Sequence, residues 1–135
     1  MDKKEILEFI TKNPIAYVAT VDGNKPHVRA LGTYRADENG IIFSMQSDKN
    51  VYKQVMDNHE TEICYYNDGI QIRLTGQMEP VADMDLKKEI AEARPFLKPG
   101  VEKNGWDYVG VFKVVNAKAS MLDMKNPGPV TYTDM

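Results

Sequence analysis

The chain has 135 residues, 42% of them hydrophobic and 27% charged, with a net charge of −3 and a sequence pI near 5.4. That length fits a single domain, residues 1–135, able to bury a core without staples, and the acidic balance argues against a nucleic-acid-binding surface. The apolar stretches are too short to cross a bilayer and MDKKEILEF is no signal peptide, so no membrane contact and a cytoplasmic location are expected.

In chain order, Asp2 and Glu5 resemble a capping box, and Ile6, Leu7 and Ile10 then supply one apolar helical face. Asn13-Pro14 ends that helix. Ile15 to Val21 is rich in β-formers, and Asp22-Gly23 turns it back into a strand over Pro26 to Tyr34. A second turn, Asp37 to Gly40, leads to a strand over Ile41 to Met45. A helix follows with Val51, Val55 and Met56 at helical spacing, for which Ser47 or Asp48 is the expected N-cap.

Glu62 to Tyr66 and Ile70 to Val81 read as strands joined by the Asn67-Asp68-Gly69 turn. Asp83 caps a helix to Arg94, with Leu86, Ile90 and Ala93 inward, and Pro95 breaks it. Lys98 to Gly105 reads as a loop, Tyr108 to Val115 and Ala117 to Asp123 as the last strand or strands, and KNPGPVTYTDM as a turn-rich tail, loosely packed or laid on a neighbour. Seven or so short strands with few helices predict a mainly β fold, a small antiparallel barrel.

Cys64 stands alone within EICYY and reads as a small buried hydrophobe, and His27 and His59 lack metal-ligand spacing, so no metal site is expected. GxGxxG, GxxxxGK[ST] and GxSxG are all absent. The stretch FSMQSDKNVYKQV carries the clearest chemical signal. A helix that opens on Ser47, Asp48, Lys49 and Asn50 presents unpartnered amides and a positive dipole end to an anion. Arg29, on an earlier strand, brings a guanidinium fork suited to phosphate. Each feature has an ordinary reading, Arg29 as an exposed strand cation and Lys49 as part of a solvated helix face; their combination favours a phosphate site.

ATVDGNKPHVRALG, IIFSMQSDKN and GIQIRLTGQ, in that order and spacing, resemble the flavin-binding split-barrel family, the pyridoxamine-phosphate-oxidase-like proteins, over Ile15 to Val115. The resemblance implies a six-stranded Greek-key split barrel with flanking helices, a homodimer, and FMN in a cleft at the dimer interface. By position it implies Arg29 at the FMN phosphate, with Ala30, Leu31 and Gly32 along the isoalloxazine and Ser44 and Met45 continuing that wall. Ser47, Lys49 and Asn50 would complete the phosphate cradle, and Gln71 would reach the ring from the partner chain. Trp106 has two readings, a cap over the ring or a loop aromatic packed on the barrel end; His27 reads as a hairpin histidine more than as a proton donor.

The departures from the family enzyme narrow the function. The stretch ALGTY lacks the lysine that follows the strand arginine in pyridoxamine phosphate oxidase, and MLDMKNPGPVTYTDM lacks its substrate arginine and histidine. Asp48 replaces the arginine beside the phosphate lysine. Oxidation of pyridoxamine phosphate is therefore not expected. The chain is closer to the short nitroimidazole-resistance type, which implies an FMN-dependent oxidoreductase that passes electrons from NAD(P)H or another reductant to a small nitro or quinone acceptor. A non-catalytic flavin carrier or sensor is the alternative. A third reading is a barrel holding deazaflavin or haem, although neither His27 nor His59 is well placed by pattern as an axial ligand.

Overall fold

A computed structural model describes residues 1–135. The capping box forms: the Glu5 amide donates to Asp2 Oδ1 at 2.8 Å, the Asp2 amide donates back to Glu5, and α1 (Lys3–Lys12) buries Ile6, Leu7 and Ile10. Strands β1 (Ile15–Asp22) and β2 (Lys25–Gly32) make the first hairpin, with Gly23 at φ 62° in its turn. A short β3 (Arg35–Asp37) precedes β4 (Gly40–Gln46), α2 (Asn50–Asp57), β5 (Glu60–Asn67) and β6 (Ile70–Pro80). Asp68 and Gly69, at φ 48° and 83°, give the β5–β6 turn the paired positive φ values that match strand twist.

After α3 (Met84–Ala93) the chain departs from the expected loop, because Lys98–Asn104 is helical (α4). Pro99 falls in its first turn, where the missing amide costs nothing, so the proline that suggested a loop instead starts a helix. The final strand β7 (Val109–Asp123) is continuous, and the end of the turn-rich tail forms a strand of its own, β8 (Thr131–Asp134), paired with β7 of the same chain.

The sheet is antiparallel, ordered β2-β1-β5-β6-β7-β4-β3, with β8 added beside β7. It thus has eight strands rather than six, the excess lying in the short β3 and β8. One continuous core inside the curl joins α1 and α2 to Val18, Phe43, Ile63, Tyr65, Ile72, Leu74, Met78 and Phe112. A second, smaller cluster on the other face of β4 and β7 packs Ile42, Val109 and Val111 against Leu86 and Ile90 of α3. Gly76 of β6 lies opposite a bulge of β7 at Asn116 and Ala117, where a Cβ would come within 2.7 Å of the Val115 carbonyl oxygen, so the backbones can only approach there because the side chain is absent.

The barrel is split. No pairing joins β2 to β4; β2 ends the sheet, and the chain beyond it is tied down by the Tyr34 amide donating to the Ile42 carbonyl at 2.8 Å. Beside that crossing the buried Thr33 and Tyr65 hydroxyls share a 2.7 Å hydrogen bond, and burial pushes the Tyr65 phenol well above its ordinary titration range. Tyr65→Phe should lower unfolding free energy by about 1–2 kcal/mol by stranding the Thr33 hydroxyl. Urea denaturation should show a lower midpoint at unchanged slope.

Candidate functional site

The split between β2 and β4 opens a cleft of about 580 Å3, within the size range of small-molecule sites, roughly 300–1,000 Å3. Its walls are one face of β2, the end of β4, the first turn of α2 and the segment after α3. Side chains alternate along β2, so His27, Arg29 and Leu31 share the cleft face.

Arg29 is held from behind. Its Nη1 donates to the Val18 carbonyl at 3.1 Å and to Thr20 Oγ1 at 2.8 Å, and its Nη2 donates to Gln54 Oε1 at 2.8 Å. Thr20 donates in turn to Gln54 Oε1 at 2.6 Å. A guanidinium has five N–H donors, so Nε–H and one Nη2–H remain without a partner. No carboxylate pairs with Arg29, and partial burial lowers its pKa from the ordinary value by desolvating the charge.

Lys49 stands at the N-cap of α2 and, contrary to expectation, neither Ser47 nor Asp48 caps this helix: no side chain bonds its first amides. Those amides therefore open on the same cleft as Lys49 and Asn50. Across the cleft, Arg94 Nη1 donates to Ser44 Oγ at 2.9 Å, and its guanidinium lies 5.4 Å from the centre of the Tyr34 ring. Tyr34 donates to Glu89 at 2.6 Å, and burial, with this hydrogen bond, raises the phenol's pKa; Glu89 also meets Arg35, so this carboxylate is occupied away from Arg94. Arg29, Lys49 and Arg94 thus line one cleft with no aspartate or glutamate among its walls, in a chain whose net charge is −3. Such a field favours a bound anion.

Of the residues singled out in the sequence, Arg29, Leu31, Gly32, Ser44, Met45, Lys49 and Asn50 meet in this cleft, and His27, read as a hairpin histidine, lines it too. Ser47 stays outside it, its amide donating to the Tyr108 carbonyl at 3.0 Å. Trp106 does not line the cleft; it is half-buried against the cluster around Leu86 and Ile90. Ala30 and Gln71 lie on the outer face of the sheet, Ala30 opposite Tyr17 and Gln71 opposite Tyr66. Sequence reading missed Arg94, Gln54 and Phe96. Arg94 reads as a cation ending a helix before Pro95, and the available signal was that no acidic residue stands near enough in α3 to claim it on the same face.

The profile of the pyridoxamine 5'-phosphate oxidase family matches residues 2–119. No curated protein matches the chain. Among solved structures, a NimC/NimA family protein from Clostridium acetobutylicum is 27% identical with a TM-score of 0.77, over 96% of this chain and 92% of that one. A pyridoxamine 5'-phosphate oxidase-related, FMN-binding protein from Nostoc punctiforme is 17% identical (TM-score 0.66, 95% and 87% covered). A haem-binding protein from Mycobacterium smegmatis shares the fold at 10% identity, with a TM-score of 0.73 over 98% of this chain and 57% of that one. With a split antiparallel barrel, a cation-lined cleft at the split and a profile match over most of its length, the chain belongs to the pyridoxamine 5'-phosphate oxidase family.

Proposed function

We propose that the cleft binds FMN and that the protein is a homodimeric oxidoreductase acting on a small organic acceptor of nitro or quinone type. The observation that carries this reading is the placement of Arg29, Lys49 and the uncapped start of α2 around one end of a cleft without carboxylates. A phosphate monoester there would meet the free Nε–H and Nη2–H of Arg29, the Lys49 ammonium and the α2 amides. Thr20 and Gln54 hold the guanidinium in place beforehand, so little side-chain freedom is lost on binding. Leu31, Gly32, Ser44 and Met45 form the wall along which a planar ring would lie, with Arg94 at its far end. When bound, FMN supplies the electron transfer; the protein supplies orientation and charge.

The assembly is part of the reading. Ile15, Tyr17 and Val28 are 59%, 53% and 69% exposed, and strand register places them on one outer face with Ala30, Cys64, Tyr66 and Gln71. An exposed apolar face of this kind suits a second copy, and Gln71 would then approach the ring from the partner. The acceptor class rests on the resemblance of the sequence to the short nitroimidazole-resistance type, alongside the likeness to a NimC/NimA family protein.

The FMN-loaded dimer should oxidise NAD(P)H only when a nitroaromatic or quinone is present, followed by the loss of reduced nicotinamide absorbance. Firm flavin binding without turnover over such a panel would make the protein a carrier instead.

A further inference from the structure

Two histidines sit in different circumstances. His59 is structural: its Nδ1 lies 2.7 Å from the Val55 carbonyl at the end of α2. His27 is exposed, lines the cleft and has neither a hydrogen bond nor an ion pair. It precedes Arg29 by two positions on β2, so both side chains leave the same face about 7 Å apart at their backbones. That is close enough for both to converge on one phosphate.

The surroundings leave the imidazole free. Thr20, its cross-strand neighbour on β1, is committed to Arg29 and Gln54. Asp22 and Lys25 face each other at the hairpin end, and Asp48 in the loop before α2 lies outside the cleft. The charged groups sharing the cleft with His27 are Arg29 and Lys49 at its own end and Arg94 at the other, and all of them are cations. An imidazolium added to this set gains nothing until an anion arrives.

We propose that His27 is a proton-dependent ligand of the FMN phosphate, so that the cleft holds phosphate-bearing flavin more firmly as the imidazole becomes protonated. The proposal rests on the FMN reading above and deepens it. Histidine is the side chain whose ordinary titration falls between about pH 5 and 8. Its protonated form donates from both ring nitrogens and carries a charge, whereas the neutral ring offers one donor and no charge. Riboflavin, without the phosphate, has nothing for the imidazolium to hold.

The test is a fluorescence titration of the full-length protein, and of His27→Gln and His27→Lys, with FMN and with riboflavin at several pH values. The phosphate itself titrates near pH 6, but the ratio of variant to parent Kd removes that shared contribution to first order. For His27→Gln the FMN ratio should be roughly five- to tenfold at about pH 5.5 and fall towards unity by about pH 8.5. His27→Lys, charged throughout, should bind FMN more tightly than the parent at the alkaline end. Riboflavin should show no variant effect at either pH. A ratio that is flat with pH, or equal losses for FMN and riboflavin, overturns the role of His27 while leaving FMN binding intact. A parent protein that binds no FMN overturns both.

Discussion

Replacing Arg29 by alanine should weaken FMN binding by roughly 10- to 150-fold, the loss of a charge-assisted contact of about 1.5–3 kcal/mol, while leaving riboflavin nearly unaffected. The structure shows why the effect should fall on the phosphate rather than on folding. Thr20 already donates directly to Gln54 at 2.6 Å, so the two have each other as partners without the guanidinium, and Arg29 has no carboxylate partner to be left as a stranded charge. Lys49→Ala should act in the same direction with a smaller loss, because Lys49 is exposed and more strongly screened. Parallel titrations of both flavins read the outcome; equal losses for the two would place the phosphate elsewhere.

If two copies pair on the outer face as proposed, Tyr17→Glu with Val28→Glu should leave the chain monomeric and with it lower FMN affinity by at least about tenfold. Both side chains are more than half exposed in the single chain, at 53% and 69%, so the fold itself should be almost indifferent, within about 0.5 kcal/mol per site. The charges would be costly only against a second copy, where two carboxylates would be buried facing apolar surface. Sedimentation velocity measures the assembly and flavin titration the site. A variant that stays dimeric argues that the copies meet on another face. A monomer that keeps FMN at parental affinity argues that each cleft is complete within one chain.

Much of the fold was legible because local chemistry and long-range packing agree. Asp2 and Glu5 close their capping box, Asp68-Gly69 turns the second hairpin, and Asp83 caps α3 by accepting from the Leu86 amide at 3.0 Å. The first hairpin turns one residue later than expected, on Gly23-Asn24, with Asp22 still paired to Lys25. The failures have a common cause: proline and glycine punctuate without saying which side of a boundary they occupy. Pro99 and Gly100 hid α4 by resembling a loop, and Pro127, Gly128 and Pro129 hid β8, whose pairing with β7 depends on residues far back in the chain.

The site divides in the same way. Arg29, Lys49 and Asn50 were readable because each sits in a local pattern, a strand after a turn or the start of a helix. Arg94 and Gln54 were not, since their meaning is tertiary: Gln54 looks like a solvated helix residue until Thr20 and Arg29 arrive beside it. Trp106 drew attention as a solitary aromatic, yet it serves the packing around α3 rather than the cleft. The α2 cap is the most telling difference. Ser47 and Asp48 are good capping residues by type, but the chain turns so that Lys49 occupies the N-cap and the amides stay open to the cleft.

The central claim is that the split of this barrel is a phosphate-anchored flavin site, and the most direct measurement is an absorbance titration of the flavin-free protein with FMN and with riboflavin under identical conditions. The account predicts saturation at one FMN per chain and an affinity for FMN at least about a hundredfold above that for riboflavin, the phosphate contacts acting together. Equal affinity for the two flavins, or no binding of FMN, would contradict it.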